Sequence, residues 1–175
     1  MPKLRKMLND CDAPYIRSLM ELIETQSKKT LANWAIDYGE NTILPFWNKH
    51  AQEDMRPQNA LNAGRAWLAG EIKLPQAKAA ILDCHAAARE AEGNPVAQAA
   101  ARAIGQSASS IHVATHCLGL ALYGALAVAY DRLGTDAPWE QIESCAAEEC
   151  GRMQTALRAV AVENEDNPAK INWRC

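Results

Sequence analysis

His112 and His116 stand four apart inside a run, from Ala103 to Tyr130, that holds no Asp, Glu, Lys or Arg. On a helix that spacing points both imidazoles from one face, where they could share a metal ion such as zinc or nickel. A third ligand would have to come from another segment, and His85 or Cys84 are the residues of the right type inside the apolar part of the chain. The same pair also fits a quite different role. Gly105, Ser109, His112, His116, Gly119 and Tyr123 recur at spacings of four and three, which draws a small or polar seam along a helix. Glycines in such a seam let another backbone approach closely, and two neutral imidazoles there would be hydrogen-bonded parts of a helix contact. This second reading is preferred. It assigns no catalytic residue and expects no cofactor and no metal. An enzyme of familiar type is disfavoured, because the sequence contains no H-E-x-x-H, no G-x-S-x-G, no P-loop and no G-x-G-x-x-G.

A second group is Arg56-Pro57, then Ala60-Leu61, Arg65, Trp67 and Gly70-Glu71. Arg65 falls near Leu61, Trp67 and Leu68, so its guanidinium can stack on an aromatic face or pair with a carboxylate, Asp37 and Glu40 being available. Packing of its stem alone, with the head in water, is the simpler expectation. Glu140, Glu143, Glu148, Glu149, Glu163, Glu165 and Asp166 give the C-terminal end a negative bias, read as a solvated face.

The elements that must position these residues are helices. The chain has 175 residues, 49% hydrophobic and 22% charged, with Ala prominent and only one Phe, and it lacks the Val, Ile and Thr runs that mark strands. Asp12 can cap a helix carrying Ile16, Leu19, Met20 and Ile23, and Ser27 a second carrying Leu31, Trp34, Ala35 and Tyr38. Pro45 should kink or end that second helix. Pro57 and Pro75 open a third and a fourth, closing at Gly70 and Gly93, the fourth with Ile81, Cys84, His85 and Ala88 on one face. A single helix from Pro95 to Leu133 would run about 58 Å, against roughly 40 Å for a domain of this size, so a break is expected in the serine-rich stretch 105–110. The last helix should run from Pro138 to about Val162. The expectation is an all-α, single-domain bundle of about seven helices around a buried Ala-rich central helix at 111–133, on which Leu118, Leu122 and Leu126 face inward. Its divisions are an N-terminal helical extension (1–26), a core (27–134), a C-terminal helix of the same domain (135–162) and a polar tail (163–175), loosely held unless Trp173 docks.

A net charge of −3 removes the long-range attraction to phosphate, so nucleic acid is not expected as a partner. The strongly apolar part of 103–130 is about a dozen residues against the ~20 a membrane span needs, and no apolar signal segment opens the chain. A cytoplasmic protein is expected. Its six cysteines (11, 84, 117, 145, 150 and 175) show no metal-site spacing and read as mostly reduced, small core residues. Cys11 and Cys175, near the termini, are the most open to adventitious oxidation.

The stretches RPQNALNAGRAWLAGEI (56–72), AKAAILDCHAAAREAE (77–92) and AAARAIGQSASSIHVATHCLGLALYGALAVAYDRLG (99–134) follow one another in a specific order. Leu31, Trp34, Ala35 and LPFW (44–47) precede them. Together they resemble the putative immunity protein family whose domain is called immunity protein five-like, over roughly residues 28–134. The resemblance rests on Arg56, Pro57, Arg65, Trp67, His112 and His116. It implies a largely helical bacterial protein that neutralises a cognate toxin of a polymorphic toxin system by binding it, and it carries over no catalytic residue. The oligomeric state is left open.

Overall fold

The computed structural model describes residues 4–174. Among them no strand occurs, and the helices follow the Pro and Gly punctuation of the sequence. Helix α1 is Pro14–Ile23, with Pro14 in its first turn. Helix α2 is continuous over 28–51, as Lys28–Tyr38, a π-helical turn Gly39–Ile43 and Leu44–Ala51. Helices α3 (Arg56–Leu68), α4 (Leu74–Glu90) and α5 (Pro95–Ser109) each begin with a proline in the first turn. A 3-10 turn, Ala114–His116, leads into α6 over 117–133, itself interrupted by a π-helical turn at Leu120–Ala125, and α7 is Trp139–Val160.

The centre of the bundle is α5, which packs against α2, α3, α4 and α6. Eleven of its fifteen residues are buried, six of them Ala, so neighbouring helices approach on nearly every side. Helix α7 closes the other flank, lying on α6, α2 and α1. Helix α6 is comparably enclosed: Leu118, Leu120 and Leu126 are buried, while Leu122 is only half-buried, less than its place in the pattern suggests.

Several local expectations are corrected. Asp12 does not cap α1: Ala13 holds that position and Asp12 instead meets Arg17. Ser27 does cap α2, its Oγ accepting from the Thr30 N–H at 3.2 Å. Pro45 does not end α2, because the π-turn just ahead of it, closed by the Leu44 N–H on the Gly39 carbonyl, widens the coil where the proline ring would clash. Helix α6 starts at 117 rather than 111. The reason is local to the serines: Ser107, Ser109 and Ser110 donate to the carbonyls of Ala103, Gly105 and Ser107 at 2.5–2.8 Å, and Val113 then turns extended (φ −130°, ψ 107°). Among the acidic residues near the C-terminus, Glu149 is not solvated but 1% exposed.

Both ends of the chain are stitched to the bundle. The Leu8 N–H donates to the Leu122 carbonyl inside the π-turn of α6 (2.9 Å), and the Tyr130 hydroxyl donates to the Arg5 carbonyl (2.8 Å). At the other end Trp173 docks, donating from Nε1 to Glu24 Oε1 at 2.5 Å and packing on the core. Gln26 exchanges two bonds with the backbone of Val162 (2.7 and 3.1 Å), and its own carbonyl accepts from the Ala169 N–H (2.8 Å). Cys84, Cys117, Cys145 and Cys150 are free thiols, three of them buried. Cys11, half-exposed near the N-terminus, is disulfide-bonded, so the expectation of reduced thiols does not extend to it; Cys175 lies outside the described residues.

Candidate functional site

The two histidines that opened the sequence reading do not share a helix. His112 lies in the irregular link after α5 and His116 at the end of the 3-10 turn, yet the fold brings their rings to a centroid separation of 6.1 Å, tilted by 45°. Lys28, at the first turn of α2, donates from Nζ to the His112 carbonyl (3.0 Å) and holds the link in place. His116 Nδ1 sits 2.7 Å from Gln106 Oε1; an amide oxygen only accepts, so the proton is on Nδ1 and Nε2 is left as an acceptor.

His85 reaches the same neighbourhood from α4. Its ring lies flat on the backbone of α5 at Gly105, where a Cβ would fall 2.5 Å from His85 Cε1. Gln106 makes the matching contact one residue on, covering Gly119, where a Cβ would fall 2.5 Å from its side chain. The glycines of the seam are thus the places where side chains from adjacent segments press onto helix backbone. The Nδ1 atoms of His85 and His112 are buried and have no hydrogen-bond partner among the described residues.

All three imidazoles are pushed below the ordinary histidine pKa, first by burial. Arg102, His116 and Arg89 push His85 further down, and Lys78, His116 and Lys28 do so for His112. Among the described residues no carboxylate counteracts them, so the cluster is uncharged at neutral pH in a cationic setting. Such a setting repels a metal ion. Cys84 does not join the group as a ligand: its thiol donates to the Ala101 carbonyl (3.3 Å), and burial pushes its pKa to about 12, far from the thiolate a metal needs. Among the described residues no group of three or more His, Cys, Asp or Glu side chains is placed to hold a metal ion.

Open grooves flank the histidine link. One of about 410 Å³ is lined by Lys28, His112, Val113, Thr115 and Lys170, and another of about 360 Å³ by Gln106, Thr115, His116, Trp173 and Arg174. Thr115 belongs to both, so the docked tail and the link together form one creased surface.

The residues of α3 make a different kind of site. Arg56 forks onto Asp54 (Nη2 to Oδ2, 2.6 Å) and Glu90 (Nη2 to Oε2, 2.6 Å), fastening the start of α3 to the end of α4. That contact holds the Asp54 carboxyl below its usual range. Pro57 is buried in the first turn. Arg65 pairs with both carboxylates available to it, Asp37 at 2.6 Å and Glu40 at 2.8 Å, while Trp67 packs half-buried on the core. These are joints between helices.

Sequence reasoning missed Gln106, the ring of cations and Glu149. Glu149 accepts from the Tyr38 hydroxyl (2.5 Å) and from Arg152 Nε (2.7 Å), beneath the π-turn of α2. Its signal was present, since 142, 146, 149, 153 and 157 form one inward stripe with Ile142, Ala146, Met153 and Leu157. Gln106 and Arg102 are likewise one turn apart on the same face of α5.

A family model described as Imm-5 like putative immunity protein matches residues 21–156. No curated protein and no solved structure matches the chain. The match begins within α1 and ends within α7, taking in both the α3 joints and the histidine link, and it reaches further at each end than the motif resemblance over 28–134. The chain therefore belongs to the Imm-5 like putative immunity protein family.

Proposed function

We propose that this protein is an antidote that binds a cognate bacterial toxin in the cytoplasm of the producing cell and neutralises it by protein–protein contact. The family match over 21–156 carries the reading. The physics of the fold supports it. A bundle whose central helix is enclosed on nearly every side by Ala-sized contacts, and whose two chain ends are tied down by hydrogen bonds, presents a surface already set for a partner. Such a role needs shape and charge complementarity and neither a nucleophile nor a cofactor. No helix among the described residues is long and apolar enough to cross a membrane.

Co-expression tests the proposal. Cells carrying a toxin gene encoded beside this one should survive when the chain is present, and the two proteins should co-purify as a complex. Loss of protection with every neighbouring toxin would refute it.

One observation favours a second reading, in which the chain binds a metal ion or a small ligand, with a hydrolytic role open to it: His85, His112 and His116 converge and two of their Nδ1 atoms lack partners. Zinc or nickel would then be found near one per chain, a chelator would lower Tm, and His85→Ala would release the metal as His112→Ala does. The surrounding arginines and lysines weigh against this reading.

A further inference from the structure

Four cations act on two of the clustered histidines: Arg89 and Arg102 on His85, and Lys28 and Lys78 on His112, with Lys28 Nζ 3.0 Å from the His112 carbonyl. Among the described residues, Lys78, Arg89 and Arg102 form no ion pair, although Arg17, Arg56, Arg65 and Arg152 each have a carboxylate. On α4, residues 78, 82, 85 and 89 fall on one face, and there Leu82 stands 65% exposed between Lys78 and His85. Val113, 40% exposed, gives the link a second uncovered apolar side chain. Of the two acids of α4, Asp83 falls on another side of the helix from 78, 82, 85 and 89, and Glu90, beside Arg89, is taken up by Arg56.

We infer that this face is the docking surface for an acidic protein segment of the toxin, whose carboxylates meet Lys78, Arg89 and Arg102 while an apolar side chain covers Leu82. The inference rests on the immunity reading and specifies the partner's chemistry. Charge complementarity selects the sign: the chain is net −3, yet it gathers here Lys78, Arg89 and Arg102, none of which closes an ion pair among the described residues. Exposed Leu82 and Val113 select a protein over a polynucleotide, since an apolar centre inside a polar rim is the anatomy of a protein interface.

The experiment measures Kd between the full chain and the toxin encoded beside its gene, at low and high salt. K78E and R102E should each weaken binding about 10–100-fold and flatten its salt dependence, while the control R132E, at the exposed C-terminal end of α6, should not. Tight binding unaffected by K78E and R102E overturns this inference and leaves the immunity reading intact. If no neighbouring toxin binds, the immunity reading fails, and the surface is judged directly with a short peptide alternating Glu and Leu. That peptide should shift the NMR signals of His85, His112 and His116, and R102E should abolish the shifts. Absence of shifts at those residues, or larger ones from a single-stranded oligonucleotide of equal charge, overturns the acidic-segment assignment.

Discussion

The α3 joints and the histidine link are both rich in cations, and they treat them in opposite ways. Arg56 and Arg65 each reach two carboxylates, so their charge is spent inside the molecule joining α3 to its neighbours. Around the link, Arg89 and Arg102 act on His85 and Lys78 on His112, both uncharged imidazoles, and two ring nitrogens there are unmatched. The first arrangement is complete in isolation. The second is complete only when something else arrives, which is how an interaction surface differs from an architectural one.

The largest effect expected on that contrast comes from the floor of the link. Gly105→Ala places a methyl 2.5 Å from the His85 ring and should cost about 1–3 kcal/mol by overpacking, measured by denaturant unfolding. Adding His85→Ala should restore most of the loss; a double variant no better than Gly105→Ala would show that the two do not touch. At the joints, Arg56→Ala should cost about 1–2 kcal/mol, reduced from the value for a buried fork because Glu90 is largely exposed. A smaller, opposite ordering in pH separates the two regions. The histidines are held below their unfolded pKa, so the unfolded chain takes up protons first, and their contribution is full above about pH 6.5 and lost as pH falls below it. The Asp54 carboxyl is also held low, but its contribution persists until pH falls through the carboxylate range near about 4. Melting curves should therefore show a loss of Tm between about pH 6.5 and 5 that is diminished in His112→Gln and unchanged in Arg56→Ala. The smallest effect is Arg102→Gln, expected to change stability by less than about 0.5 kcal/mol, because no internal partner loses a bond. A loss above about 1 kcal/mol would reveal a structural role and erase the distinction.

The same contrast explains how much the sequence disclosed. Helix order, Pro-led starts and the break after Pro95 are legible because Pro, Gly and Ser act through local backbone chemistry. Arg65 with Asp37 and Glu40 is legible only in part: the opposite charges name the partners, but nothing in the spacing favours the pairing over the expected head in water, and the structure decides for the pairing. The link is not, since the continuous helix expected through His112 depends on where α5 ends, and three serine hydroxyls bonding back to carbonyls decide that. The π-turns escape local reading as well, being matched by distant groups such as the Leu8 N–H on the Leu122 carbonyl. What sits around the histidines comes from α2, α4 and α5 together, and no spacing within one helix encodes it.

Amide hydrogen exchange of the chain, alone and bound to the toxin encoded beside its gene, tests the central claim most directly. Binding should slow exchange across 111–118 and along α4 around Lys78 to Arg89, and leave the start of α3 at Arg56 and the α2–α3 pairing at Arg65 unchanged. Protection confined to α3, with the histidine link exchanging as fast as before, would contradict the account.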